Sequence, residues 1–160
     1  MFNPDTAAYY YAFLRSFKAL AQQSRVEVDA APVRSAAEIE RAVAELGSDQ
    51  HAGLIVAADI YIVAMRELIL KSAEQHRVLL LAPYRQFAVD GGLMSYGPDT
   101  ADIFRRSSSY VDRILKGESP GNLPAQSPDK FELVVNLKRA RALGLSVRES
   151  FLQLADELIE

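Results

Sequence analysis

The sequence predicts an α/β protein in which a parallel sheet is flanked by helices. Two apolar runs, Gly53–Ala57 and Val78–Ala82, have the composition of strands that are buried on both faces of such a sheet. Amphipathic helical segments separate and surround them, and this alternation is typical of βα units. The 160 residues suffice for one domain with a hydrophobic core, or for part of a larger one.

The N-terminal third is predicted to contain a helix, a strand and a second helix. Apolar residues recur at helical spacing from Tyr10 to Ala21, and Asp5 or Thr6 is expected to cap this first helix. Val26–Ala31 is predicted to be a strand.

Capping signals place the next helices along the chain. Ser35 and Glu38 form a capping box for the second helix, and Gly47 is placed to end it. A third helix is expected over Ile60–Gln75.

The C-terminal half begins with a helix that Asp99 is expected to cap and Gly117 to terminate. An extended connector rich in proline follows. The pattern then predicts a strand at Phe131–Asn136, a helix at Leu137–Leu143 that Gly144 stops, and a terminal helix that starts from a capping box at 146–149 and continues through Leu158.

The start of the chain does not fit a complete parallel fold. Such folds begin with a strand, whereas Met1–Phe2 resembles the last residues of a strand before its turn into a helix. We therefore expect a sheet that lacks a strand or obtains one from another chain. The alternative is that the first helix packs on a sheet that needs no earlier strand.

Composition excludes several classes of protein. A net charge of −3 and a pI of about 5.5 argue against a basic surface for nucleic acid, and the absence of cysteine excludes disulfides and thiolate metal sites. No apolar run approaches the ~20 residues that span a bilayer. The N-terminus has no secretory signal, so the chain as written is expected to be cytoplasmic.

No catalytic, metal or cofactor site is predicted. His51 and His76 have no partner at ligand spacing, and Ser107 to Ser109 lie in a helix without the strand-turn-helix context of a nucleophile. Gly91 and Gly92 do not form a dinucleotide-binding fingerprint.

A ligand-binding site is better supported, because ligands of open α/β sheets lie outside the carboxyl ends of the strands. Asp59 follows one predicted strand and offers a carboxylate to an ammonium group, while Arg85 follows the next and offers a planar fork to a carboxylate. The alternatives are that Asp59 caps a helix and that Arg85 is solvated. The candidate ligand-binding residues are Asp59, Tyr61, Tyr84, Arg85, Gly91, Gly92 and Tyr96.

Several motifs resemble one family. They are the segments Phe-Asn-Pro-Asp (2–5), Gly-Gly-Leu-Met-Ser-Tyr-Gly-Pro-Asp (91–99), Tyr-Val-Asp-Arg-Ile-Leu-Lys-Gly (110–117) and Lys-Phe-Glu-Leu-Val-Val-Asn-Leu-Lys (130–138). They are similar to the ABC transporter substrate-binding proteins related to the tryptophan-binding TrpX proteins. The resemblance implies a type I periplasmic-binding-protein fold, in which two α/β lobes close on a small solute such as an amino acid.

The resemblance also implies a location and a partner. Members of the family are periplasmic or membrane-anchored and deliver solutes to an ABC permease, without catalysis. They are about twice as long as this chain, which is similar to their C-terminal half. The resemblance therefore suggests a truncated second lobe at 1–90, an interlobe strand, helix and connector at 91–128, and a returning strand with C-terminal helices at 129–160.

Within this arrangement, the resemblance makes the segment around Tyr84 to Gly92 a crossing between lobes, with Asp59 and Tyr84 facing the cleft. A second hypothesis belongs to another class of protein. In it the chain is a stand-alone assembly or regulatory module, a homodimer whose copies exchange a strand or a lobe.

Overall fold

The computed structural model describes residues 1–49 and 51–160. The helices are α1 (Tyr10–Gln23), α2 (Ala36–Leu46), α3 (Ile60–Ala64), α4 (Arg66–Gln75), α5 (Arg85–Val89), α6 (Thr100–Leu115), α7 (Leu137–Leu143) and α8 (Glu149–Leu152), with a 3₁₀ turn at Pro120–Asn122. The strands are β1 (Gly53–Ile55), β2 (Leu79–Ala82), β3 (Met94–Pro98), β4 (Phe131–Asn136) and β5 (Glu157–Ile159).

These strands form one mostly parallel sheet in the order β1-β2-β3-β4-β5. Strands β1, β2 and β3 run parallel, with Leu54 opposite Leu80 and Leu81 opposite Met94. Strand β4 is antiparallel to β3, and β5 is parallel to β4. The sheet flanked by helices confirms the predicted α/β class, and the antiparallel pair β3–β4 is an addition to it.

The core lies between the sheet and the helices α2 and α4. The apolar faces of these helices pack on the first two strands, so that Ile39, Val43 and Ile69 are fully enclosed together with Leu54 and Leu80. Burial of this apolar surface is the main source of stability for the lobe.

Most of the capping predictions are confirmed. The Ser35 hydroxyl accepts from the backbone N–H of Glu38, and the carboxylates of Asp59 and Asp99 cap α3 and α6 in the same way. Gly144 ends α7 in the left-handed conformation, with φ of 77°. Local side-chain chemistry therefore determines where these helices begin and end.

The predicted cap of α1 is wrong. The helix begins at Tyr10, after Tyr9, without a side-chain cap. The Asp5 carboxylate accepts from Arg34 instead, and the Thr6 hydroxyl donates to Asp59. Both side chains are engaged by residues distant in sequence, which spacing does not reveal.

The strand predicted at Val26–Ala31 is also absent. The structure shows one isolated parallel bridge there, between Phe2 and Pro32. A strand requires a ladder of hydrogen bonds to a neighbour, whereas in the described part of the chain this segment bonds to Phe2 only at its last residue, where the Ala31 carbonyl accepts from the Phe2 N–H at 3.2 Å. The alternating pattern is present, but its partner is not.

Two helix predictions are corrected in the middle of the chain. The single helix predicted over Ile60–Gln75 is divided at Met65, whose backbone (φ −92°, ψ 12°) separates α3 from α4. Residues Arg85–Val89, for which no helix was predicted, form helix α5. A five-residue helix is too short to show a helical period.

The predicted terminal helix is wrong over most of its length. Helix α8 covers only Glu149–Leu152, and Arg148 precedes it without a side-chain cap, so the second capping box does not form. The following residues form β5, which pairs with Val134 to Asn136 of β4. The Asp156 carboxylate also accepts from the Leu133 N–H, which fixes the register of the pair.

Helices α1 and α6 have no buried residue. Their apolar side chains are exposed instead, including Phe17 and Leu20 on α1 and Phe104 and Leu115 on α6. The predicted apolar faces exist, and in the described part of the chain much of each face is exposed.

Candidate ligand site

Polar and aromatic side chains gather at one edge of the sheet. Because β1, β2 and β3 are parallel, their carboxyl ends meet at the same edge. Asp59 follows β1, Tyr84 and Arg85 follow β2, and Asp99 follows β3. The fold therefore brings residues from three separate segments of the sequence to one rim.

A small cavity of about 290 Å³ opens at this rim, between the ends of β2 and β3 and the first turn of α6. Its lining includes the guanidinium-bearing Arg85, the buried Ser95, Gly97 and Thr100. Pockets for small ligands begin at roughly 300 Å³. The cavity is thus of a size that suits one end of a small solute.

The backbones of β3 and the β2–α5 connection approach closely beside the cavity. A Cβ atom added to Gly97 would lie 1.8 Å from the carbonyl oxygen of Pro83. Only glycine permits this approach. Gly97 was not among the predicted site residues, although its place in Gly-Pro-Asp before a helix was an available signal.

Arg85 is held by a second strand. Its Nε and Nη2 atoms donate to the two carboxylate oxygens of Glu157 on β5, at 2.7 and 2.6 Å. This hydrogen bonding raises the pKa of the Arg85 guanidinium above its ordinary value. A guanidinium has five N–H donors, so the Nη1 side of Arg85 remains able to bind a carboxylate.

Asp59 has a structural role that the sequence analysis left as an alternative. Its buried carboxylate accepts from Tyr61 N–H, from Asn3 N–H and from the Thr6 hydroxyl, at 3.0, 2.8 and 2.6 Å. It caps α3 and ties the N-terminal residues to the rim.

Two tyrosines at the start of α1 also reach the rim. The Tyr10 hydroxyl accepts from Ala58 N–H at 2.7 Å, and the Tyr9 hydroxyl donates to the Ala58 carbonyl at 3.0 Å. Burial raises the pKa of Tyr10. The Tyr9-Tyr10-Tyr11 run was a signal for this cluster, but the sequence analysis assigned Tyr10 only to an apolar helix face.

Asp99 closes the rim on the side of α6. Its carboxylate accepts from Lys130 Nζ at 2.7 Å and from Asp102 N–H at 3.0 Å. The hydrogen bond from Lys130, with a smaller contribution from the Asp102 N–H, holds the pKa of Asp99 below its usual range. Asp99 is therefore a charged cap that fixes the first turn of α6 next to Thr100.

The remaining predicted residues are distributed over three places. Tyr61 and Tyr84 are half-buried and pack against the core near the rim. Gly91 and Gly92 lie between α5 and β3, at the amino end of β3 and thus at the opposite edge of the sheet. Tyr96 is exposed and stacks on Phe131, with ring centroids 5.8 Å apart.

The two glycines have a role in the turn itself. Gly91 has a φ of 119°, which L side chains rarely adopt, and a Cβ on Gly92 would lie 2.8 Å from the Phe87 carbonyl oxygen. They shape the return from α5 to β3. The structure does not bring them together with Asp59 or Arg85.

Metal centres and membrane-spanning helices are two further features for which the described residues can be assessed. Among residues 1–49 and 51–160, no group of three or more His, Cys, Asp or Glu is arranged to hold a metal ion. In the same part of the chain, no helix combines the length and apolarity that crossing a membrane requires.

The fold of this chain is shared with parts of two solved structures. The chain superposes on a conserved domain protein from Vibrio cholerae O1 biovar El Tor with a TM-score of 0.84 at 22% identity, covering 98% of this chain and 52% of that one. It superposes on an ABC domain in complex with L-Trp from Streptococcus pneumonia with a TM-score of 0.81 at 25% identity, covering 94% and 52%. The chain thus shares its α/β fold with about half of each of these two chains.

The family follows from the sequence itself. The family model for ABC transporter substrate binding proteins matches residues 1–159. This chain belongs to that family. It is also 22% identical over 125 residues to a tyrosine-binding protein of Clostridioides difficile, covering 78% of this chain and 36% of that protein. The chain thus spans about a third to half of the length of these relatives.

Proposed function

We propose that this chain forms one wall of a cleft that binds a small zwitterionic solute such as an amino acid, as the substrate-binding component of an ABC transporter. The observation that carries the proposal is the cavity at the carboxyl ends of β2 and β3, beside Arg85. Family membership supports it, as do relatives named for tyrosine binding or solved with L-Trp.

The chemistry of the rim suits a zwitterion. Arg85 presents its remaining N–H donors to a carboxylate, and the hydroxyls of Ser95 and Thr100 lie in the same cavity. Tyr84 and Tyr61 lie close by on the rim and offer aromatic surface. The other groups that a closed cleft needs would come from a facing wall.

The proposal also includes a permease partner, a cellular location and the lack of catalytic activity. Delivery of the solute to a membrane permease, and a periplasmic or membrane-anchored location, follow from the family. The arginine and the aspartate that line the cavity are engaged in ion pairs, Arg85 with Glu157 and Asp99 with Lys130, which suits positioning of a ligand. We therefore propose binding without catalysis.

Isothermal titration calorimetry with L-tyrosine, L-tryptophan and other amino acids tests this function. Because one wall supplies only part of the contacts, we expect a Kd of about 0.1–1 mM, or roughly 4–5.5 kcal/mol of binding free energy. Tryptophanamide, which lacks the carboxylate, should bind more weakly than tryptophan. The absence of heat with every amino acid at millimolar concentration would contradict the proposal.

A matched pair of variants tests the role of Arg85. Arg113 also donates from Nε and Nη2 to both oxygens of a glutamate, Glu118, but on α6 and outside the cavity. We expect Arg85→Gln to weaken binding at least ~fivefold, about 1 kcal/mol, and Arg113→Gln to leave it unchanged. Equal effects of the two substitutions would assign the loss to general charge and not to the cavity.

A second candidate function rests on a different observation. The uncovered apolar faces of α1 and α6 are the surfaces that a homodimeric assembly module would bury. Sedimentation velocity at micromolar concentration distinguishes the two: a monomer defeats this candidate, while a dimer that binds no amino acid favours it.

A further inference from the structure

The acidic side chains at the rim differ in how fully they are engaged. Asp59, which the sequence predicts as a partner for an ammonium group, is 3% exposed and already accepts three hydrogen bonds. A carboxylate has about four acceptor sites. Asp59 therefore keeps little capacity for a ligand, and an ammonium group needs another acceptor.

Two further acidic residues, Asp99 and Glu132, line the cavity itself. The Asp99 carboxylate is engaged by Lys130 Nζ and by the Asp102 N–H. Glu132 is half-buried, and within residues 1–49 and 51–160 its carboxylate forms no hydrogen bond or ion pair. Glu132 is thus the carboxylate of the cavity that is available to a ligand.

The pairing of the strands directs Glu132 towards the cavity. Glu132 on β4 lies opposite Gly97 on β3, and Val134 lies opposite Ser95. Paired residues of neighbouring strands have their side chains on the same face, and every second residue of a strand returns to that face. The Glu132 side chain therefore shares a face of the sheet with Ser95, which is buried in the lining of the cavity.

Arg85 lies over the same face of the sheet. It donates to Glu157, which is paired with Val134 and therefore points to this face as well. The hydrogen bonding to Glu157 raises the pKa of Arg85, and the charge of Glu132 makes a smaller contribution in the same direction. Glu132 and Arg85 are thus close enough to interact, and they present an acceptor and a donor of opposite charge to one small cavity.

The charge of the cavity favours a cationic group. Arg85 is neutralised by Glu157. Asp99 is likewise neutralised by Lys130. Glu132 adds one negative charge that no ion pair balances in the part of the chain that the structure describes. An ammonium group would balance this charge, whereas a ligand with a carboxylate alone would be repelled by it.

A second acceptor lies next to Gly97, the residue opposite Glu132. The Pro83 carbonyl oxygen is the atom that a Cβ on Gly97 would meet at 1.8 Å, and Pro83 also lines the cavity. Among the described residues, no backbone N–H donates to this carbonyl. Because an ammonium group has three N–H donors, it can bind a carboxylate and a carbonyl at the same time.

We infer that Glu132 binds the ammonium group of the ligand in this cavity, while Arg85 binds the carboxylate. The inference rests on the proposed function, since it assigns one end of the zwitterion in the same cavity. It makes Glu132 a determinant of specificity, because the cavity should accept amino acids and reject carboxylic acids of the same shape that lack the amine.

The test compares tryptophan with indole-3-propionate, which has the same ring and carboxylate but no ammonium group. Titrations of the full chain are followed by NMR at the Gly97 amide, which reports on the cavity itself. We expect the unmodified chain to bind indole-3-propionate at least ~tenfold more weakly, because a charge-assisted hydrogen bond is lost. Glu132→Gln should weaken tryptophan binding at least ~tenfold and leave indole-3-propionate binding equal or tighter, because a like charge is removed.

Glu40→Gln is the matched control, since Glu40 is exposed on α2, lies outside the cavity and loses the same charge. It should leave both affinities unchanged. Binding of indole-3-propionate to Glu132→Gln shows that the cavity of this variant is folded. Loss of both ligands in Glu132→Gln would instead give Glu132 a role in the fold and overturn the inference.

Failure of this inference is distinguishable from failure of the proposed function. Tryptophan binding that is unchanged in Glu132→Gln, or equal affinity of the unmodified chain for the two ligands, would overturn the inference and leave the proposed function standing. If tryptophan does not shift the Gly97 amide, the inference fails. Calorimetry with the other amino acids then decides separately whether the proposed function fails with it.

Discussion

The α-carbon of Gly97 on β3 lies so close to the backbone of Pro83 that a Cβ atom there would be 1.8 Å from the Pro83 carbonyl oxygen. The obstacle is backbone and not a flexible side chain, so it cannot rotate away. This contact brings the ends of β2 and β3 together beside the cavity at the rim.

Because of this contact, even the addition of one methyl group at Gly97 should lower stability strongly. We expect Gly97→Ala to lower the free energy of unfolding by about 3 kcal/mol, the upper range for overpacking a well-packed site. Gly53→Ala is the matched control in another strand, because its Cβ would have ordinary contacts of 3.5 Å with Leu79. Chemical denaturation measures both, and equal losses would contradict the geometry.

Removal of the Asp59 carboxylate should lower stability, and this loss can be measured separately from ligand binding. Asp59→Ala removes the acceptor for Asn3 N–H, Thr6 and Tyr61 N–H, and should cost roughly 3 kcal/mol because buried donors lose their partner. Asp59→Asn keeps one acceptor oxygen but turns an amide N–H₂ towards another donor. Its loss of stability should therefore be smaller than that of Asp59→Ala but still measurable.

Calorimetry on Asp59→Asn then distinguishes the two roles of this residue. If Asp59 only caps α3, the folded variant binds amino acids as the unmodified chain does. If it also receives the ammonium group of the ligand, binding falls although the protein is folded. The thermal melting curve, measured in parallel, gives the fraction of the variant that is folded at the temperature of the titration.

The enclosed amine of Met1 predicts a pH dependence near neutrality. The pKa of this group falls from its ordinary 8.0 to about 6 on folding, so the folded state binds fewer protons between these values. Stability should therefore be lowest below pH ~6, rise as the pH increases to ~8, and gain up to about 3 kcal/mol in total.

Acetylation of the N-terminus is the control for this pH effect. The acetylated chain has no ammonium group but keeps both histidines, so the rise between pH 6 and 8 should disappear. Urea denaturation at several pH values measures it. An unchanged rise after acetylation would contradict the assignment of the effect to the Met1 amine.

Substitution by alanine should affect stability very differently at two phenylalanines, one buried and one exposed. Phe87 is 1% exposed in the core, and Phe104 is 73% exposed on α6. Phe87→Ala should cost about 3–5 kcal/mol, whereas Phe104→Ala should change stability by less than ~0.5 kcal/mol. If α6 forms an interface between copies, Phe104→Ala should instead reduce association in sedimentation velocity. A large loss of stability in the monomer would show that α6 is covered.

The sequence by itself determined the α/β class, the apolar strands and most helix ends. These features depend on local chemistry: Ser35, Asp59 and Asp99 cap helices through contacts within a few residues, and Gly144 adopts a conformation that few other residues tolerate. It also placed Asp59, Tyr84 and Arg85 after strands, and thus at the rim.

Only the tertiary structure decided the features that depend on distant partners. The spacing of Leu158 and its neighbours suits a helix, but pairing with β4 makes them a strand. Val26–Ala31 has the alternation of a strand, but among the described residues only Ala31, at its end, bonds to the neighbouring Phe2, so no strand ladder forms there. Arg85 was expected to be open to a ligand, yet Glu157, 72 residues away, holds two of its donors. Hydrogen bonds between segments remote in sequence decide such cases, and local propensity does not encode them.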